Sequence, residues 1–158
     1  MKHGSLLFLR AVILLVGVGV LAGLLWEPQV EGRNANADLA TIYFRDPFLA
    51  YAYAGSLQFF FGLYQAFKFL DYVGQGQAFS PAAVRTLRHI KYCALAVIGF
   101  IIGGEVYIVL GVSDDRAGGV AIGIAATFAC LITVTTAAVL ERLLQNGVDL
   151  KSEIDLAV

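Results

Sequence analysis

Residues 92–112 read YCALAVIGFIIGGEVYIVLGV, and Glu105 is the only charge among them. A helix needs roughly 20 apolar residues to cross a hydrocarbon core of ~30 Å. This stretch has that length, so it points to a chain whose solvent is lipid. It also places a carboxyl group where the bilayer makes charge expensive.

Three further stretches extend the pattern. Residues 6–26 are apolar apart from Arg10 near their start. Residues 48–70 are rich in aromatics, and 117–140 are rich in alanine, glycine and threonine. The whole chain of 158 residues is 59% hydrophobic and 15% charged. A soluble domain is nearer ~45–50% apolar and ~25% charged. No stretch alternates strictly between apolar and polar, which disfavours a barrel. Helices satisfy their own backbone hydrogen bonds, as hydrocarbon requires. The expectation is an all-α integral membrane protein, a four-transmembrane-helix antiparallel bundle forming one domain.

Basic residues set the orientation. With the N-terminus inside, Lys2, Arg10, Lys68, Arg85, Arg88, Lys91, Arg142 and Lys151 are cytoplasmic, and Arg33, Arg45 and Arg116 are external. Both termini are then cytoplasmic. Residues 27–47 form an external loop, 71–91 a cytoplasmic segment and 141–158 a cytoplasmic tail. Trp26, Tyr43 and Phe44 suit the outer interface. Asp114-Asp115-Arg116 reads as a tight external turn, which makes the last two spans antiparallel neighbours. Ala35-Asn36-Ala37 resembles a signal-cleavage site but lies far past the first apolar run, so that run is expected to stay as a span.

The cytoplasmic segment has its own signals. Gly74-Gln75-Gly76-Gln77 reads as a flexible stretch. Ser80 is a good N-cap, and Pro81 suits the first helical position. A helix starting there runs straight into the span at 92–112. After the last span, Leu140, Leu143, Leu144 and Val148 continue a helix that Asn146-Gly147 is expected to cap. The final residues, KSEIDLAV, are amphipathic and expected to fray or to dock on a partner.

Few residues carry chemistry. Counting depth from the external ends at ~1.5 Å per residue puts Glu105, Gln58 and Thr127 in about the same layer. They form either an interhelical clasp or a proton- or ligand-binding site. Gly19 with Gly23, Gly99 with Gly103 and Gly119 with Gly123 allow close helix approach, within the chain or in a homodimer. His3 and His89 are too near one face to hold a haem in mid-span, and Cys93 and Cys130 lie at different depths. No catalytic constellation, metal site or cofactor is expected, so the protein reads as a non-enzyme. A net charge of −1 predicts no direct binding of nucleic acid.

QAFSPAAVRTLR at 77–88, leading into an apolar span, and EIDLAV at 153–158 resemble a family of small bacterial four-span membrane proteins filed as domain of unknown function 2975. There a Phe-Ser step opens the cytoplasmic helix, and the chain ends in an acidic residue, Asp-Leu, a small residue and valine. In this chain Ile154 replaces the more usual asparagine, and Ala157 stands where threonine is common. The resemblance implies an uncharacterised activity and a cytosolic helix-turn-helix DNA-binding regulator as partner. The motifs then mark a cytoplasmic partner face of Phe79, Ser80, Arg85, Arg88, Asp155, Leu156 and Val158. The expected function is a membrane-embedded binding or regulatory module. A small proton-coupled carrier using Glu105 is the alternative.

Overall fold

A computed structural model describes residues 3–30, 38–45, 47–111 and 116–158. Among them every regular element is helical: α1 His3–Val30, α2 Leu39–Arg45, α3 Pro47–Gly74, α4 Pro81–Leu110 and α5 Arg116–Ala157. Lys2, Arg33, the 35–37 sequence, Asp114-Asp115 and the Arg116 side chain lie outside the described residues, and so do the expectations resting on them.

Local chemistry explains the boundaries. Pro47 opens α3, where its missing N–H is no loss. Between α3 and α4, Gly76 takes φ +72°, a left-handed conformation that glycine adopts without strain. Its N–H donates to the Val73 carbonyl at 3.1 Å, and that of Gln77 to Tyr72 at 2.7 Å. The Gly74–Gln77 stretch is thus a hydrogen-bonded turn. Ser80 caps α4, its side chain accepting from the Ala83 N–H at 3.2 Å, with Pro81 following.

Among the described residues three helices are long and apolar enough to cross a membrane: α1, α4 and α5. At ~1.5 Å per residue α4 is ~45 Å long and α5 ~63 Å. The expected span at 48–70 does form a helix, α3, but α3 is not among those three.

The packing does not form the expected four-helix antiparallel bundle. The helices form an open row, α1–α3–α4–α5. Contacts are broad between α4 and α5 and between α3 and α4, and narrow between α1 and α3. Among the described residues α1 meets neither α4 nor α5. A water-soluble bundle closes to hide its apolar faces. Lipid is as apolar as leucine, so apolar helices in a bilayer gain little from closing.

Close approach along the row uses glycine. A Cβ added to Gly55 would meet the Phe100 ring at 3.0 Å, and one at Gly62 would meet Cys93 at 3.3 Å. Leu63, opposite Gly17 of α1, follows Gly62 by one residue, or roughly 100° around the helix. The row therefore bends at α3. The cores are thin: Ala83, Val84, Leu87, Cys93 and Ala94 of α4 are buried, whereas among the described residues of α5 only Ala137 is.

Candidate functional site

The N-terminal ends of α1 and α4 and the C-terminal ends of α3 and α5 share one end of the row. It carries Arg10, Lys68, Arg85, Arg88, Lys91, Arg142 and Lys151. Two ion-paired ties hold it. Arg10 of α1 pairs with Asp71 of α3. On the other side, Glu141 of α5 accepts from Arg88 Nε at 2.8 Å and Lys91 Nζ at 2.6 Å, both on α4. Burial alone would push the Glu141 carboxyl up, but the hydrogen bonds and charges of Lys91 and Arg88 outweigh it and hold it below the usual range. The same hydrogen bond, then the Glu141 charge, raises Arg88 further above its ordinary value. Sequence reasoning singled out Arg88 but missed Glu141. The signal was there: an acid directly after an apolar span, facing a basic segment that precedes its antiparallel neighbour.

Beyond Glu141, α5 runs on to Ala157. Asn146-Gly147 does not end it, contrary to the expected left-handed cap, and Gly147 has no positive φ. Gly147 serves packing instead. A Cβ added there would overlap the Phe79 ring, with Cε1 at 2.7 Å. Phe79, just before the Ser80 cap, thus packs on α5 nearly two turns past the ion triad. The tail continues as helix, with Gln145 Nε2 donating to Asp149 Oδ1 at 2.8 Å.

This contact joins two segments some 70 residues apart in the chain. A groove forms between them, with Phe79, Ser80 and Pro81 on one wall. Val148, Lys151, Ser152, Asp155 and Leu156 make the other. Four of the seven residues expected at the partner face, Phe79, Ser80, Asp155 and Leu156, line it together. Arg85 is exposed on α4 outside this groove, Val158 lies exposed past the end of α5, and Arg88 is engaged with Glu141. Phe79 remains 55% exposed and Leu156 85%, so the groove is open to solvent.

The second candidate site is at Glu105. Its side chain packs against α5, where a Cβ on Gly123 would meet the carboxyl carbon at 2.8 Å and Cγ at 3.0 Å. One carboxylate oxygen, Oε1, is buried without a hydrogen-bond partner. The expected layer with Gln58 and Thr127 is not assembled. Glu105 is level with Gly123, so Thr127 lies one turn away along α5, ~6 Å. Gly55 faces Phe100 and Gly62 faces Cys93, so Gln58 is level with Val97, ~12 Å from Glu105 along the helix axis. Depth counted from loop ends assumed equal offsets at every loop, and the helix register does not have them.

The glycine pairs divide. Gly119 meets Ile108 at 3.2 Å and Gly123 meets Glu105, so this pair seats α5 on α4. Gly103 lies under the Tyr51 hydroxyl, which donates to the Phe100 carbonyl at 3.0 Å. Gly19, Gly23 and Gly99 have nothing within 4 Å of an added Cβ.

Comparison with known proteins adds a family. The profile described as Protein of unknown function (DUF2975) matches residues 31–158. The Uncharacterized membrane protein YoaS of Bacillus subtilis (strain 168) is 36% identical over 160 residues, covering the whole of both chains. No solved structure matches the chain.

Proposed function

Because the chain belongs to the membrane-protein family of unknown function DUF2975, we propose that it is a non-catalytic, multi-pass module of the bacterial inner membrane that holds a cytosolic protein at its basic end. In this reading α3 crosses the bilayer with α1, α4 and α5, and both termini are cytoplasmic. Length and position support the α3 crossing: it has 28 residues, as α1 does, and lies between α1 and α4 in the row. The excess of Lys and Arg at the shared end supports the orientation.

One observation carries the reading, the seating of Phe79 on Gly147. It ties the turn before α4 to the extension of α5, which projects ~25 Å past the end of the last span. The groove that results has apolar walls and a few polar groups, as helix- and strand-docking sites do. The partner that fits the family resemblance is a helix-turn-helix transcription regulator, held away from DNA or released by a change within the membrane.

Gly147→Leu tests the reading with the tail intact. The new side chain displaces the Phe79 ring and closes the groove, while the spans are untouched. Recovery of a helix-turn-helix regulator with the full-length protein, in mild detergent, should fall at least tenfold. The same loss is expected on deleting residues 151–158. Undiminished recovery with both variants rules the groove out as the binding site.

Glu105 supports a second reading, a small proton-coupled carrier, through its buried and unpartnered carboxylate oxygen. Proton coupling predicts that Glu105→Gln abolishes the pH dependence of transport or growth phenotype. A pH profile indistinguishable from wild type removes the carboxyl from any mechanism.

A further inference from the structure

Gln58 stands in the middle of the apolar stretch 48–70, exposed and without a hydrogen bond among the described residues. Several other mid-span polar groups are satisfied within the chain. Thr133 and Thr135 return their hydroxyls to the carbonyls of Ala129 and Leu131 on their own helix. Ser56 does the same with Tyr53. Tyr51, seven residues before Gln58 on the same stripe, donates across to α4. A primary amide has two donors and an acceptor, and leaving them unpaired in hydrocarbon costs several kcal/mol on the order of the alkane transfer scale.

The surface around Gln58 is shaped for a helix. Leu57 and Phe61 flank it on α3, and Leu95 and Ile102 are exposed on α4. Gly99 lies about half a turn from Val97, the residue level with Gln58, and nothing stands within 4 Å of where its Cβ would be. Because the row bends at α3, this α3–α4 face is left uncovered by α1 and α5.

We propose that two copies of the chain associate in the bilayer through this α3–α4 face, with the two Gln58 amides hydrogen-bonded to each other across a two-fold axis along the membrane normal. A two-fold axis brings each residue near the axis opposite its own counterpart at the same depth. An amide suits that operation because it is both donor and acceptor, so the pair exchanges two bonds reciprocally. Lipid tails offer no such partner. Gly99 on each copy lets the facing helix come close.

This inference rests on α3 crossing the bilayer. The test uses the full-length chain in vesicles of phosphatidylethanolamine and phosphatidylglycerol. Gln58→Cys, placed in a Cys93→Ala, Cys130→Ala background, should oxidise to a disulfide-linked dimer in high yield, and Phe128→Cys on the outer face of α5 should not. In the otherwise native chain, Gln58→Leu should weaken dimerisation on lipid dilution by about tenfold, in the range of interhelical hydrogen bonds, and Gln58→Asn should weaken it less. Leucine is at home in lipid, so misfolding does not confound this variant. A monomer at every dilution, a dimer indifferent to Gln58→Leu, or a cross-link to a different protein overturns the proposal. Labelling of Gln58→Cys by a membrane-impermeant maleimide would instead show that α3 does not span. Protection from that reagent with no cross-linking defeats the dimer alone.

Discussion

The two flanks of the row are held differently. On one side α5 lies along α4 over its whole length. Gly119 and Gly123 admit Ile108 and Glu105, the Arg88–Lys91–Glu141 triad locks the basic end, and Phe79 on Gly147 extends the seam beyond it. On the other side α1 touches α3 at separate points: Gly17 on Leu63, the Tyr53 hydroxyl on the Leu24 carbonyl at 3.1 Å, and Arg10 on Asp71. Gly19 and Gly23 of α1 face open space. The family profile begins at residue 31, after α1. Apolarity puts both flanking helices in the same solvent, but only interlocking shape and paired charge fix one helix against another there. The α3–α5 unit therefore acts as a rigid frame, and α1 as a lightly attached flank.

The largest test of this contrast is Gly123→Leu. The side chain has nowhere to go but into the Glu105 carboxyl, so α4 and α5 must part. We expect a loss of ~3 kcal/mol or more, at the upper end of overpacking costs, read as a fall in the thermal midpoint in detergent. The matched change on the loose flank, Gly19→Leu, should be close to neutral. Equal effects of the two would erase the distinction between the flanks.

Next in size is Glu141→Gln, which leaves Arg88 and Lys91 without their shared anion. A loss of ~1–3 kcal/mol is expected, the usual result of orphaning a partly buried charged donor. The pH dependence sharpens it. The Glu141 carboxyl is held below its ordinary value, so its contribution is complete above the unfolded pKa of ~4.3. It is lost as pH falls through the lower folded value. Wild type should therefore keep the same midpoint between pH 6 and 8, and its excess stability over Glu141→Gln should shrink only in acid. A difference that changes near neutrality would assign the tie to another group.

The smallest effect is expected for Asp71→Asn. Both members of the Arg10–Asp71 pair are more than a third exposed, and such pairs are worth ~0–1 kcal/mol. Cross-linking between α4 and α5 should be unchanged, while proteolysis or hydrogen exchange in the first turns of α1 increases. Stabilities equal to those of Glu141→Gln would mean that the two ion-paired ties are equivalent.

Much of the local structure was legible in the chain. Ser80 and Pro81 announced the start of α4, because capping is decided by neighbours in sequence. The apolar lengths announced the helices, and the acidic ending of the chain pointed to one wall of the groove. Two readings depart from the structure for a shared reason. Gly147 looked like a terminator, and Glu105, Gln58 and Thr127 like one layer. Each depended on what lies opposite in space. Phe79 turns Gly147 into a packing position, and helix register moves Gln58 and Thr127 away from Glu105.

By itself the sequence determined that these segments are helices suited to lipid, and which end of them gathers positive charge. Those properties follow from apolar length, capping chemistry and counts of side chains. Tertiary structure decided that the helices stand in an open row, that Glu105 meets Gly123, and that Phe79 closes on Gly147. A helix carries its faces in its sequence, but its rotation and sliding against a neighbour are settled only by the fit of side chains into the spaces that glycine leaves.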